Sequence, residues 1–282
     1  MLTVIGDLID DVIVRRPGAL ERGTDNPAVI RHTRGGSAAN VAAAAAPLSP
    51  ARFIGRVGRD AAGDSLVAAL QSAGVDARVQ RGERTGTIVI LVDDDGERTM
   101  ITDRASAADL EPIEQSWLDG TSWLHLPLYG FTSESSRGAL LAAAAWAARS
   151  GVPVSIDLSS TALMRELGAP VLAGILADVV PDVVFANTDE DGCLAELGLE
   201  PPSDAVYIVK RGPAPVLLVV GGTCTEVAVE PVADVVDSTG AGDAFAAGYL
   251  AGAREGRSPR DCVLAGIVLA AGAVQGLGAL PG

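Results

Sequence analysis

Lysine is almost missing from this chain: Lys210 is the only one. Histidine is nearly as scarce, with His32 and His125 alone, while Asp plus Glu outnumber Lys plus Arg by 36 to 21, a formal net charge of −15. A protein that neutralises nucleic-acid phosphates needs a cationic surface, so a nucleic-acid partner is excluded. Two histidines cannot build a multi-histidine metal site. Cys193, Cys224 and Cys262 are odd in number, widely spaced and without a C-x-x-C pair. That excludes a disulfide scaffold and reads as buried or partly buried thiols in a reducing compartment. Aromatics are only 4% of residues, so the core has to be built from small and branched aliphatic side chains packed closely.

Long uninterrupted apolar runs are also few. Asp7, Asp10 and Asp11 break the first one, so no signal peptide is expected. Residues 139–148 are too short a run to span a bilayer. The charge-free stretch 262–282 holds five glycines and Pro281, and reads as a core helix with a trailing loop. A cytoplasmic protein with no membrane partner is the expectation.

What the chain does have is apolar material: 48% hydrophobic residues and a mean hydropathy of +0.31, which excludes general disorder. A length of 282 residues admits one large domain or two ordinary ones. Strand-like runs lie at 2–5, 12–14, 28–33 and 52–57, with helical spacing at 37–46 and 64–72. Residues 85–92 and 98–102 flank Asp93-Asp94-Asp95-Gly96, a hairpin signal. Beyond residue 120 the chain alternates. Strands are expected at 122–126, 152–156, 183–186, 205–209, 216–220 and 226–229, and helices at 134–150, 163–177, 189–197, 241–254 and 258–275. Such alternation predicts an α/β three-layer sandwich with a mostly parallel central sheet. The early extended pieces and the hairpin do not fit it, and are expected to form a small inserted β lid on a single domain, 1–282.

Four clusters carry candidate chemistry. Asp237-Ser238-Thr239-Gly240-Ala241-Gly242-Asp243 precedes a helical run. Small residues let a ligand approach the backbone, and N–H groups at a helix start favour an anion. Asp243 could accept a proton from an attacking hydroxyl, or merely cap the helix. Gly35-Gly36-Ser37-Ala38-Ala39-Asn40 is a second glycine turn opening a helix. Asn40 could serve sugar hydroxyls, with Ser37 as a helix cap. Asn187 and Glu190 share one helical face and could hold hydrated Mg²⁺, or form an N-cap and capping-box pair. Gly6-Asp7 with Asp10 and Asp11 could grip vicinal hydroxyls, or be a solvated acidic turn.

The order of these clusters resembles the ribokinase-like (PfkB) carbohydrate kinases across essentially the whole chain. The segment 53–60 with Gly63-Asp64 is similar to that family's first signature region, and 237–250 to its second. The resemblance implies ATP-dependent phosphorylation of a sugar hydroxyl (pentose, hexose or 2-keto-3-deoxy sugar acid). A nucleoside kinase of the same family and a non-catalytic nucleotide or sugar sensor are the alternatives. A nucleotide-linked dehydrogenase is a weaker option, since no G-x-G-x-x-G follows the first strand.

Carried over by position, Asp243 matches the catalytic base, and Gly240, Ala241 and Gly242 its anion hole. Asp11, Gly35, Gly36 and Asn40 match substrate contacts, and Arg104 lies where some members have one. An Arg there suits a carboxylate, or is simply an exposed lid hinge. Asn187 and Glu190 match the Mg²⁺ and phosphate pair. Lys210 and Gly212 lie in the nucleotide segment, and Asp237 matches a monovalent-cation position, K⁺ in some members. ATP and Mg²⁺ are the implied cofactors, and the lid, 12–34 with 84–103, implies a homodimer. The chain departs from the family pattern in reading Lys-Arg-Gly-Pro-Ala-Pro at 210–215, and in lacking Asn and Arg after Asp157.

Overall fold

The computed structural model of the chain describes residues 1–16, 18–93, 97–233, 235 and 238–275. Its elements begin with β1 (Leu2–Ile5), β2 (Ile9–Arg15), β3 (Val29–Gly35), α1 (Ser37–Ala45), β4 (Ala51–Gly58), α2 (Ala61–Ser72) and β5 (Asp76–Gly82). Next come β6 (Thr87–Val92), β7 (Arg98–Asp103), β8 (Trp123–Pro127), α3 (Glu134–Ser150), β9 (Val154–Asp157) and α4 (Thr161–Val179). Last are β10 (Val183–Asn187), α5 (Thr188–Glu196), β11 (Val206–Lys210), β12 (Val216–Val220), β13 (Thr223–Val227), α6 (Ala241–Arg254) and α7 (Pro259–Ala273).

Within β1, Val4 packs into one apolar cluster and Ile5 into another. This is the period of two expected of a strand covered on both faces. The nine-stranded sheet runs β13-β12-β11-β10-β9-β8-β1-β4-β5. From β11 to β5 all neighbours are parallel, and β12 and β13 add as an antiparallel hairpin. Residues of α1, α2, α6 and α7 cover one face, and residues of α3, α4 and α5 the other. The expected three-layer sandwich is therefore the fold. The small side chains have a packing role here. A Cβ on Gly248 of α6 would lie 2.6 Å from the Ala265 carbonyl of α7, and one on Gly266 would lie 2.8 Å from the Phe245 carbonyl. Only bare backbones allow helices to cross this closely.

A separate four-stranded sheet, β3-β2-β6-β7, is made from the two early insertions, as the lid was expected to be. The β6–β7 hairpin pairs Val92 with Arg98, and its turn lies outside the described residues. Two local features differ from the expected elements. Strand β5 has no apolar signal because it is a sheet edge carrying Asp76, Arg78, Gln80 and Arg81, and charge on an edge blocks further pairing. Helix α4 is two pieces joined at Gly168 (φ 71°, ψ 163°), with Pro170 starting the second. Cys193 and Cys262 are buried, but Cys224 is exposed on β13. No helix among the described residues is long and apolar enough to cross a membrane.

Candidate active site

Parallel strands deliver their C-terminal ends to one edge of the sheet, and the crevice there is where an α/β fold binds ligands. At that edge β1 ends before Asp7, β9 ends at Asp157, β10 at Asn187 and β11 at Lys210. Register brings Phe185 opposite Asp157 and Asn187 opposite Lys210.

Asp243 is the third residue of α6, whose N-cap is Gly240 in the left-handed region (φ 76°). Its carboxylate does not cap the helix. Oδ1 accepts from the Ser37 hydroxyl at 2.7 Å and Oδ2 from the Asn40 amide nitrogen at 3.0 Å. Ser37 is thus not the cap of α1, where Gly36 holds that position without a side-chain bond. Asn40 is also committed, because its Oδ1 accepts from Arg34 Nε and Nη2, both at 3.4 Å. Burial pushes the Asp243 carboxyl up to about 7, with Asp157 adding to the rise and Ser37, Asn40 and Lys210 opposing it. Of the three amides at the turn, Ala241 N–H donates to the Ser238 carbonyl at 3.2 Å. Those of Gly240 and Gly242 have no acceptor among the described residues.

The two glycines ahead of α1 are demanded by contact. A Cβ on Gly35 would lie 2.2 Å from the Asp11 carboxylate, and Gly36 (φ 97°) would place one 2.4 Å from the Asp7 carbonyl. Asp10 and Asp11 form no acidic turn, since both stand on β2. Asp10 pairs with His32 at 2.9 Å. Asp11 lies against Gly35 with Oδ1 buried and without a hydrogen-bond partner among the described residues. Burial, with Asp7 and Asp10 nearby, pushes its carboxyl up to about 7 against the pull of Arg104. Arg104 Nη1 donates to the buried Asp7 at 2.9 Å, and its guanidinium lies 4.2 Å from the Tyr129 ring centroid. Its charge is already matched.

On the other side of Asp243, Lys210 Nζ makes a 2.6 Å ion pair with Asp157 and lies 3.3 Å from where a Gly242 Cβ would stand. Burial by itself lowers the ammonium, but Asp157 and Glu190 outweigh it and hold its pKa above the ordinary value. Asn187 and Glu190 do form the capping box: Glu190 N–H donates to Asn187 Oδ1 at 2.9 Å, and Asn187 N–H to Glu190 Oε2 at 2.8 Å. Burial, reinforced by Asp157, pushes the Glu190 carboxyl up to about 7. A buried carboxylate of this kind gains from a nearby cation. No cluster of three or more His, Cys, Asp or Glu able to hold a metal exists among the described residues. A single buried carboxylate with one amide beside it fits an ion that keeps most of its waters. Gly212 is exposed in the left-handed region (φ 56°) just past β11, and Asp237 lies outside the described residues.

The structure thus brings Asp11, Gly35, Gly36, Asn40, Asp243 and the glycine turn together, with Asn187, Glu190 and Lys210 beside them. Sequence reasoning missed Arg34, Asp157 and Tyr129, and gave Ser37 the wrong role. Only Arg34 had a visible signal, a charge directly before a glycine pair.

The chain matches the profile of the pfkB family carbohydrate kinases over residues 1–281. It is 37% identical to an ATP-dependent ribose-1-phosphate kinase of Halopiger xanaduensis, over 80% of this chain and 76% of that protein. It is 31% identical to a fructokinase of Salmonella typhimurium, over 92% of this chain and 86% of that protein. Among solved structures it is similar to adenosine kinase from Sinorhizobium meliloti, with TM-score 0.86 and 25% identity, covering 99% of this chain and 95% of that one.

Proposed function

Because this chain belongs to the pfkB family of carbohydrate kinases and is a phosphotransferase acting on an alcohol group, we propose that Asp243 is the base in transfer of the ATP γ-phosphoryl group to a sugar or nucleoside hydroxyl. One observation carries this assignment. The Asp243 carboxylate is held by Ser37 and Asn40 at the start of α6, beside two amides with no backbone acceptor among the described residues and one half-buried lysine. The acceptor hydroxyl gives its proton to Asp243 as its oxygen forms the new P–O bond and the bond to ADP breaks. Gly240 and Gly242 N–H groups and Lys210 stabilise the charge in transit, which is the main catalytic demand of phosphoryl transfer. Ala241 joins them only if its bond to Ser238 opens.

Asp11, over Gly35 and Gly36, accepts from acceptor hydroxyls, and Asn40 orients the base. Asn187 and Glu190 would hold a hydrated Mg²⁺, which would supply neutralisation of the phosphate charge. Lys210 and Gly212 border the nucleotide. Arg104 fixes Asp7 under the lid and reaches the acceptor only through that pair. The lid sheet covers the acceptor and excludes water. Apolar residues exposed on its two edge strands, Val29 and Ile30 on β3 with Met100 and Ile101 on β7, support a homodimer through the lid.

ATP consumption is to be measured across neutral sugars, sugar phosphates, sugar acids and nucleosides, with product identified by mass. Turnover with at least one acceptor, abolished by chelation of Mg²⁺, is the expected result. Consumption of ATP that no acceptor stimulates would remove the reading.

A further inference from the structure

Two buried arginines stand in the chain, and they differ in one respect. Arg52 is ion-paired with Asp76 at 2.8 Å and donates to the carbonyls of Trp117 and Asp119. Arg34, at 6% exposure, has no ion-pair partner among the described residues. Its hydrogen bonds are the two long ones to Asn40 Oδ1, and its Nη1 is buried with no acceptor among the described residues. Burial lowers its pKa, with Asp243 alone opposing. A buried, unpaired charge is among the costliest groups a fold can keep, and removing one normally stabilises a protein. Arg34 is the penultimate residue of β3 in the lid, directly ahead of Gly35 and Gly36, and Asn40 links it to the base. Across the same turn, Asp11 Oδ1 is buried and also has no partner among the described residues. One orphan acceptor, against Gly35, and one orphan cationic donor, against Asn40, therefore touch the same short segment 35–40. An alcohol alone satisfies the first. The second calls for an oxyanion, and Arg104 cannot share that task because Asp7 already holds it.

We propose that Arg34 is a specificity residue that pairs with an acidic group on the acceptor, so that the preferred substrate is a polyhydroxyl compound carrying a phosphate or a carboxylate. This rests on the kinase reading above and narrows its substrate class. An acceptor phosphate or carboxylate gives the guanidinium a bidentate partner, and Asp11 takes a hydroxyl of the same molecule.

The test compares ribose 1-phosphate and gluconate with ribose and fructose in wild type, Arg34→Gln and Arg34→Lys. Wild type is expected to show kcat/KM for an anionic acceptor above that for the neutral sugars by on the order of 100-fold, the scale of a desolvated charge pair. Arg34→Gln is expected to erase that ratio, and Arg34→Lys to restore part of it. Equal losses for neutral and anionic acceptors would place Arg34 on Asn40 or on the phosphoryl group in transit, and overturn the proposal. Melting temperature without ATP separates it from the kinase reading. An Arg34-dependent rise with ribose 1-phosphate or gluconate but no turnover keeps the anion subsite and removes the kinase. Turnover confined to neutral acceptors keeps the kinase and overturns the subsite. Arg34→Met is the folding control: the ligand-free variant is expected to melt higher than wild type, and a lower melting temperature marks a structural arginine and overturns the proposal.

Discussion

Replacing Asp243 by Asn changes one oxygen for an NH₂ group in a site whose two donors are known. The Asn40 amide still has an oxygen to bond, and the Ser37 hydroxyl can turn to accept from the new NH₂, so the local geometry is kept. What is lost is the proton acceptor. General-base catalysis contributes roughly 10²- to 10⁴-fold, so kcat is expected to fall by that factor, a barrier increase of about 3–5 kcal/mol. ATP affinity, read by isothermal titration, should stay within about threefold, because the nucleotide meets the glycine turn and Lys210 rather than this oxygen. The wild-type pH profile carries a second signature. With the carboxyl raised to about 7 by burial, kcat/KM should fall about tenfold per unit as pH drops below that value, and this limb should vanish in the variant. Stability moves the other way. A carboxyl raised in the folded state contributes stability that is fully present below its unfolded pKa and lost as pH rises through about 7. The neutral variant should therefore be more stable than wild type at pH 8 by about 1–3 kcal/mol, less than the full pKa difference because solvent in the crevice screens part of it. Unchanged turnover in the variant refutes the assignment of the base, and destabilisation at pH 8 refutes the account of its pKa.

Lys210→Met strips the cation from Asp157 and Glu190, and is expected to cost about 3 kcal/mol in urea unfolding along with most activity; Asp157→Leu in the same chain should recover much of the stability, and a single variant as stable as wild type would show that the pair contributes nothing. His125, wholly buried and T-stacked on Phe185, has its pKa lowered to about 4 by burial, so the unfolded chain binds the extra proton first as pH falls. It should cost wild type about 2 kcal/mol between pH 7.5 and 5, and His125→Gln should show that much less acid sensitivity in denaturant melts.

Much of the scaffold was legible from local signals. The helices at 134–150 and 241–254 fall where their spacing implied, and the structure adds Ser133 and Gly151 as the caps of α3 and Gly240 as the N-cap of α6. Strand β5 was not, because its edge position removes the apolar pattern that marks a strand. At the site, residue types and their order pointed to Asp243, Asn40, Asp11 and the glycine turns. The capping box of Asn187 and Glu190 was legible as well, since it closes within three residues.

Partnerships across the chain were beyond that reach. Ser37 looks like a helix cap from its neighbours, and becomes a ligand of Asp243 only when a residue 206 positions away arrives beside it. Arg104 looks like an anion contact until Asp7, 97 positions away, takes its charge. Backbone conformation and burial periodicity are set by neighbours a few residues apart, so the sequence alone determined where strands, turns and helix starts fall. Whether a buried charge is matched depends on which strand ends the sheet order places together. Only the tertiary structure decided that Arg104 is satisfied and Arg34 is not.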